Sequence, residues 1–257
     1  MPFALITGAS KGIGKAIASA LANRGYDLLL VARSEDLLQK VSDELQSTTK
    51  SKCHFLALDL SAADAPQKVY DWCNSNHYTV SVLVNNAGYG MSGHFENYSV
   101  DEHTEMLQLN IMTLVKLTRL FLPDLLKLQD AYILNLGSSA SYQAVPLLSA
   151  YAASKAFVLS FSRGLYQELR NTSVSVTCIC PGPTDTNFIQ RAKIGPKGVK
   201  TAERFNMTPE AVAHVAVNSL FRKKPEVIAG ATNKAGAFFA WLLPKNLVEV
   251  VAKKLYE

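Results

Sequence analysis

Short apolar segments alternate with longer amphipathic segments along most of this 257-residue chain. The short segments are nearly continuous in Val, Ile, Leu and Ala, which is typical of strands buried on both faces. When helices connect such strands, they form a parallel sheet with helices on both sides. The sequence therefore predicts a doubly wound α/β fold, with ligands bound beyond the carboxyl ends of the strands.

This pattern assigns seven strands and five helices. We predict strands at Phe3–Ile6, Asp27–Ala32, His54–Leu58, Val80–Val84, Ala131–Leu136, Val174–Ile179 and Val227–Ala229. We predict helices at Gly12–Asn23, Glu35–Gln46, Ala63–Cys73, Asp101–Leu128 and Ala150–Arg170. Two or three further helices are expected after Thr201.

No break in composition separates two domains, so we expect a single domain over residues 1–257. Residues 187–206 are rich in Gly and Lys, which predicts a substrate lid, and residues 231–257 are expected to form a C-terminal helical extension. With 48% hydrophobic and 18% charged residues, the chain is not of the disordered class. Four cysteines are too few for a disulfide scaffold, and no secretory leader or transmembrane segment is recognisable, so we expect a cytoplasmic protein.

The net charge of +5 is unevenly distributed. Residues 1–190 carry 14 basic and 16 acidic side chains, whereas residues 191–257 carry 12 basic and 5 acidic ones. The basic end lacks a nucleic-acid-reading motif, so no nucleic-acid partner is expected. Three roles stay open for its apolar helices: packing on the body or over a pocket, an oligomer interface, and contact with a membrane surface.

A glycine-rich turn follows the first predicted strand directly. Glycines 8, 12 and 14 allow a sharp turn and a close approach to a pyrophosphate, and the next helix points free N–H groups at that anion. The spacing differs from that of ATPase phosphate loops. The turn therefore predicts a Rossmann-type dinucleotide site whose candidate residues are Thr7, Gly8, Ser10, Lys11, Gly12, Ile13 and Gly14.

The end of the second strand selects between the two nicotinamide cofactors. NAD requires a carboxylate there to accept bonds from the adenosine ribose, but this chain has Ala32 and Arg33. A guanidinium favours the 2′-phosphate of NADP, and Lys11 offers a second cation from the glycine-rich turn. The sequence therefore predicts NADP(H) as the cofactor.

Tyr151 and Lys155 lie four residues apart and share one face of a predicted helix. Free tyrosine has a pKa near 10, and a lysine ammonium beside a phenol lowers that pKa toward the range useful for proton transfer. Ser138 follows the strand Ala131–Leu136 and is expected at the same edge of the sheet. These three residues are therefore candidate catalytic residues.

The ordered motifs resemble those of the short-chain dehydrogenase/reductase superfamily, in its single-domain, NADP-preferring branch. The matching motifs are the Thr7–Gly14 turn, Asp59, the run Asn85-Asn86-Ala87-Gly88, Asn110, Ser138, Tyr151 with Lys155, and Pro181-Gly182 followed by Thr186. The resemblance implies four catalytic residues, Asn110, Ser138, Tyr151 and Lys155. It also implies cofactor contacts at Asp59, Leu60, Asn86, Ala87, Gly88, Tyr151, Lys155, Pro181, Gly182, Thr184 and Thr186.

The implied reaction interconverts a carbonyl and an alcohol by hydride transfer. Tyr151 would serve as the general acid and base, Ser138 would bind the substrate oxygen, and Asn110 would hold a relay water for Lys155. The segment between residues 141 and 148 is expected to line the substrate pocket, and the candidate substrate contacts are Ser138, Tyr142, Val145 and Tyr151. No metal site is expected.

Two alternatives to a general carbonyl–alcohol oxidoreductase stay open at this point. The substrate is a small carbonyl or alcohol compound that the sequence leaves unassigned. A 3-oxoacyl thioester on acyl carrier protein or CoA is the first alternative, because basic lid residues suit such an anionic group. A redox sensor that binds NADP without turnover is the second. The resemblance also implies a homodimer or homotetramer.

Overall fold

The computed structural model describes residues 2–184, 192, 199 and 206–256, with the side chains of 255 and 256 left out. Seven parallel strands form one sheet in the order β3-β2-β1-β4-β5-β6-β7. The strands are β1 Phe3–Thr7, β2 Asp27–Ala32, β3 Cys53–Ala57, β4 Val80–Asn85, β5 Ala131–Leu136, β6 Val174–Cys180 and β7 Glu226–Ile228. This order and the flanking helices confirm the predicted doubly wound fold.

Nine α-helices are described in these parts of the chain, and they cover both faces of the sheet. They are α1 Gly12–Ala22, α2 Glu35–Thr48, α3 Ala65–Ser75, α4 Val100–Leu107, α5 Leu114–Leu125, α6 Ser149–Glu168, α7 Pro209–Phe221, α8 Ala231–Leu242 and α9 Lys245–Tyr256. Helices α1, α2 and α7 bury apolar side chains against one face. Helices α3, α4, α5 and α6 do so against the other.

The predicted helix Asp101–Leu128 is wrong in its continuity. Helices α4 and α5 are separated by a π-helical turn at Gln108–Thr113, a wider turn that contains Asn110. Apolar periodicity does not reveal such a turn, because both flanking helices keep their apolar faces toward the same core. The helix predicted from Ala150 begins at Ser149, so Leu148 and not Ser149 precedes its first residue.

The last two helices differ from the others in burial. Helix α8 contains no buried residue, and Ala252 is the only buried residue among the described side chains of α9. Most of the predicted lid, residues 187–206, lies outside the described residues.

The order of the strands determines where a ligand can bind. Helix α1 and the helices after β4 leave the sheet toward opposite faces, so a crevice opens between the carboxyl ends of β1 and β4. The glycine-rich turn lies at that point.

Candidate active site

The glycine-rich turn joins β1 to α1 in a conformation that needs glycine. Gly8 and Gly12 have φ angles of +67° and +57°, in the region that side chains with a Cβ rarely adopt. A Cβ at Gly14 would lie 2.5 Å from Asn86 Nδ2 and would also collide with the carbonyl oxygen of Gly8. Helix α1 begins at Gly12 and contains no acidic residue in its first turn. Its N-terminal N–H groups and dipole therefore face the crevice and favour an anion there.

Thr7 and Asn86 hold the floor of the crevice together. The Thr7 hydroxyl donates to the main-chain oxygen of Val84 and accepts from the main-chain N–H groups of Asn86 and Ala87 at 2.9 and 3.0 Å. Asn86 Nδ2 donates to the carbonyl oxygens of Thr7 and Gly8 at 2.8 and 3.2 Å. Both residues thus have a positioning role, since they fix the turn to the end of β4.

Arg33 and Asp59 follow β2 and β3 and meet across one end of the cleft. Arg33 Nη1 lies 3.8 Å from Asp59 Oδ2, and both side chains are about half exposed. The other oxygen of Asp59 accepts bonds from the main-chain N–H and the hydroxyl of Ser61. The carboxylate is therefore held by its own loop, whereas the guanidinium makes only a long, solvated ion pair with it.

Ser138, Tyr151 and Lys155 come together at the carboxyl end of β5. Tyr151 and Lys155 lie one turn apart on α6, with Lys155 Nζ 6.0 Å from the centre of the Tyr151 ring. Ser138 precedes the short 3-10 helix Ser139–Tyr142, and its Oγ accepts a bond from Ala140 N–H at 3.1 Å. All three side chains line the same cleft, and each is nearly buried.

Ser141 connects Ser138 to helix α6. Its hydroxyl accepts from Ser138 N–H at 3.2 Å and donates to the main-chain oxygen of Lys155 at 2.9 Å. Sequence analysis missed this residue, although the spacing of Ser138 and Ser141 is that of a reciprocal capping pair and offered a signal. Ser141 therefore fixes the candidate hydroxyl relative to the Tyr–Lys helix.

Lys155 is a buried ammonium group. Its Nζ donates to the main-chain oxygen of Leu136 at 2.8 Å. Burial lowers the pKa of Lys155 to about 8, because removing water disfavours the charged form. The group therefore loses its proton far more readily than an exposed lysine does.

Asn110 lies behind the cleft wall and not on its surface. Asn110 Oδ1 accepts from Tyr89 N–H at 3.1 Å, and its Nδ2 donates to Tyr89 O and to Ser154 Oγ at 2.9 and 3.1 Å. A Cβ at Gly88 would lie 2.8 Å from Asn110 Oδ1 and 3.6 Å from Lys155 Nζ. The Asn110 side chain thus connects the loop after β4 to helix α6, close to Lys155.

Tyr142 presents its ring, and not its hydroxyl, to the cleft. The hydroxyl donates to Oε1 of Glu226, the first residue of β7, at a distance of 2.6 Å. Burial, the nearby Cys180 and this bond to Glu226 raise the pKa of Tyr142, so the phenol stays protonated. Val145 is buried in the cleft wall. Of the predicted substrate contacts, Tyr142 and Val145 therefore offer mainly apolar surface to the cleft.

Helix α8 supplies part of the cleft wall. Its contribution consists of small or polar residues on one side of the helix, namely Thr232, Asn233, Gly236, Ala237 and Ala240. A Cβ at Gly182 would collide with the carboxamide of Asn233, and Asn233 Nδ2 is held by the carbonyl oxygen of Ala229 at 2.7 Å. Sequence analysis missed Asn233, because no local pattern relates it to Gly182.

The cleft has a volume of about 790 Å³ and collects nearly all of the predicted site residues. Thr7 and Asn110 support its walls from behind, and Thr186 lies outside the described residues. The other predicted residues line the cleft, namely Gly8, Ser10, Lys11, Gly12, Ile13, Gly14, Arg33, Asp59, Leu60, Asn86, Ala87, Gly88, Ser138, Tyr142, Val145, Tyr151, Lys155, Pro181, Gly182 and Thr184.

No group of three or more His, Cys, Asp or Glu side chains in the described part of the chain is arranged to hold a metal ion. Within the same residues, no helix has the length and apolar character needed to cross a membrane.

Residues 2–195 match the family model described as short chain dehydrogenase. The chain belongs to the short-chain dehydrogenase family. The predicted superfamily is thus confirmed.

Three relatives illustrate the range of this family around the chain. Very-long-chain 3-oxoacyl-CoA reductase of Bos taurus is 35% identical over 187 residues, which are 70% of this chain and 58% of that protein. The match therefore spans less than two thirds of that relative. An uncharacterized oxidoreductase of Staphylococcus epidermidis is 30% identical over 84% of this chain and 94% of its own. A short-chain dehydrogenase from Sphingobium yanoikuyae, solved in complex with NADPH, superposes with a TM-score of 0.83 at 28% identity over 94% of each chain.

Proposed function

We propose that this protein is an NADP(H)-dependent oxidoreductase that interconverts a carbonyl and an alcohol with Tyr151 as the proton donor and acceptor. The observation that carries the proposal is the convergence of Tyr151, Lys155 and Ser138 in one cleft with the glycine-rich turn. Each group has the chemical type and the burial that proton transfer to a carbonyl oxygen needs. When bound, the nicotinamide cofactor would supply or accept the hydride.

The cleft fits such a dinucleotide. The glycines of the turn leave space where side chains would collide, and the start of α1 offers N–H groups to a pyrophosphate. At the far end, Arg33 and Lys11 line the cleft and would hold a 2′-phosphate. The phosphate would compete with Asp59 for Arg33, because their present ion pair is long and solvated. The NADPH bound by the Sphingobium yanoikuyae enzyme is consistent with this preference.

The chain's own residues provide the proton chemistry. In the reductive direction Tyr151 donates its hydroxyl proton to the substrate oxygen as negative charge develops there. Ser138 stabilises that oxygen, because Ala140 N–H already occupies one acceptor position of its hydroxyl and leaves the hydroxyl proton to donate. Lys155 lies one helical turn from Tyr151, and its low pKa makes its ammonium group a ready proton donor. It can therefore return a proton to the Tyr151 phenolate after Tyr151 has protonated the substrate. Asn110 keeps the loop at Tyr89 and helix α6 in place around this lysine.

One experiment tests the proposal. Oxidation of NADPH is followed spectroscopically across ketones, aldehydes, quinones and acetoacetyl thioesters, with Tyr151→Phe as the inactive control. We expect at least one carbonyl class to be reduced by the wild-type protein alone. Equal rates for the two proteins would contradict the assignment of Tyr151.

Reduction of a 3-oxoacyl thioester is the second candidate function. The similarity to the Bos taurus 3-oxoacyl-CoA reductase favours it, although only part of that protein is matched. Turnover of acetoacetyl thioesters without turnover of simple ketones would support this candidate. A redox sensor is disfavoured, because a protein that only binds NADP has no need for a buried Ser–Tyr–Lys set.

We also propose a homodimer or homotetramer built through helices α5 and α6. Phe157 on α6 is partly exposed and stacks on Phe161, and Met112 before α5 is similarly exposed. A cytoplasmic location is proposed as well. The four cysteines, all buried and unbridged, support it.

A further inference from the structure

The C-terminal helices carry large apolar side chains that the rest of the protein does not cover. Trp241 is 78% exposed. Six further side chains on α8 and α9 are about half exposed, namely Phe238, Phe239, Leu242, Leu247, Val250 and Val251. We call these seven residues the C-terminal apolar surface. Folded proteins seldom leave so many neighbouring apolar side chains in water without a binding purpose.

The large apolar residues of α8 serve neither the cleft nor the core. Thr232, Gly236 and Ala240 recur at every fourth position along the side that lines the cleft. Phe238 and Leu242, also four residues apart, lie on the opposite side of the helix. The Phe238 ring contacts the rings of Phe239 and Trp241, with centroids 5.7 and 6.1 Å apart. Helix α8 therefore has one small-residue side for the cleft and one aromatic side for something outside the protein.

Helix α9 likewise has one side toward the protein and one exposed apolar side. Ala252 is the buried residue among the described side chains of α9, whereas Leu247, Val250 and Val251 lie on a common outward side. Lys254 falls on that same side and is exposed. A lysine on the apolar side of such a helix can lay its aliphatic stem along the apolar residues and keep its ammonium group at the level of the lipid headgroups.

The net charge of α8 and α9 distinguishes between two partners for the C-terminal apolar surface, a second copy of the chain and a membrane surface. Residues 231–257 contain four lysines and two acidic residues, Glu249 and Glu257. A second copy of the chain, related by a two-fold axis, would bring two net positive segments together, with only these two carboxylates on each side to offset the lysines. A membrane with anionic lipids would instead pair its headgroups with the lysines and accept the Phe, Trp and Leu side chains below them.

We propose that α8 and α9 dock the protein on the surface of a membrane that contains anionic lipids. The C-terminal apolar surface enters the interface, and Lys234, Lys245 and Lys254 lie at the level of the headgroups. Each helix has 12 residues, too short to span a bilayer and suited to lying along it. Docking in this way brings the cleft wall formed by α8 to about one helix diameter, roughly 10 Å, from the lipid.

The two tryptophans of the chain provide a direct test. Trp72 lies in α3, so the variant Trp72→Phe leaves Trp241 as the only tryptophan emitter. Vesicles of phosphatidylcholine with roughly a third phosphatidylglycerol should shift its emission to shorter wavelength, and high salt should reduce the shift. Phosphatidylcholine vesicles alone should shift it much less. No shift with the anionic vesicles would overturn the proposal.

Matched variants locate the surface. Leu242→Ser should weaken co-sedimentation of the full-length protein with anionic vesicles about tenfold, and Lys234→Gln should weaken it about fivefold. Leu126→Ser is the control. Leu126 is an apolar residue that is 42% exposed at the end of α5. It lies near the amino end of β5, on the side of the sheet opposite to the cleft and α8. Equal losses for Leu242→Ser and Leu126→Ser would overturn the proposal. So would a Trp241 shift that depends on protein concentration without lipid, since it would identify a second copy as the partner.

Discussion

Thr7 and Asn86 bind each other reciprocally at the ends of β1 and β4. Asn86 Nδ2 donates to Thr7 O at 2.8 Å, and the Thr7 hydroxyl accepts from Asn86 N–H at 2.9 Å. These are the two neighbouring strands between which the crevice opens. Because the bonds are made within the protein alone, the floor of the cleft is formed before any ligand arrives, and binding costs less ordering entropy.

The space around two glycines in helices, Gly14 and Gly164, predicts opposite effects when each is replaced by alanine. Gly14→Ala should destabilise the protein by about 1–3 kcal/mol, because its Cβ would collide with the Gly8 carbonyl and lie 2.5 Å from Asn86 Nδ2. Gly164→Ala, in α6, meets nothing within 4 Å and should stabilise the protein by about 0.5–1 kcal/mol. Urea unfolding of both variants measures the difference. A stable Gly14→Ala variant would show that the turn can open.

Removing the Tyr151 hydroxyl should separate binding from turnover. We expect Tyr151→Phe to lower kcat by about 10²–10⁴-fold, the usual contribution of a general acid. NADPH binding, followed by nicotinamide fluorescence, should stay nearly unchanged, since the ring that packs in α6 is kept. Turnover close to that of the wild type would require another proton donor.

Reversing the charge of Arg33 should reverse the cofactor preference. Arg33→Asp removes a cation from the 2′-phosphate end and supplies the carboxylate that NAD favours. The ratio of kcat/KM for NADPH over NADH should fall at least about 100-fold, as expected from the loss of a charge-assisted bond plus repulsion. Arg222→Asp is the charge-matched control, because Arg222 is exposed at the end of α7, away from the cleft. An unchanged ratio in Arg33→Asp would refute the role of Arg33.

The buried Lys155 predicts a stability that rises with pH in the cofactor-free protein. Burial lowers its pKa to about 8, while in the unfolded chain the pKa is near 10.5. Between these values the unfolded chain binds more protons, so the free energy of unfolding increases with pH and the cost of burying the ammonium is relieved. Well below pH 8 Lys155 is charged in the folded protein, so the full cost of burying its ammonium group lowers the free energy of unfolding.

Comparison with Lys155→Met isolates this effect from other titrating groups. From pH 7 to pH 9.5 the free energy of unfolding of the wild type should rise by about 2 kcal/mol more than that of the variant, as measured by urea unfolding at each pH. Parallel pH profiles for the two proteins would mean that Lys155 titrates normally.

The sequence predicted the fold well because the evidence for a parallel sheet is local. Each buried strand is a short apolar run, and its bounds agree with the structure to within one or two residues. The same holds for the glycine-rich turn, whose residues are adjacent in the chain. Patterns of this kind follow from backbone geometry and need no knowledge of distant contacts.

The parts that the sequence did not predict depend on contacts between distant segments. Tyr142 turns its hydroxyl to Glu226, and Asn233 packs on Gly182, each across at least fifty residues. The role of the apolar side of α9 stayed open for a similar reason, because periodicity identifies an apolar side but not whether that side faces the core. Such relations appear only when the helices are placed on the sheet.

The π-helical turn at Gln108–Thr113 has an evolutionary consequence. A turn of this kind holds one residue more than a regular helix while the flanking helices stay in register. Met106 and Leu117, on either side of it, both remain in the core. Losing a single codon within the turn would therefore restore an ordinary helix around Asn110 and leave the surrounding fold intact. The bonds of Asn110 to Tyr89 and Ser154 thus depend on a single extra residue in the turn, and its deletion should break them without repacking the two flanking helices.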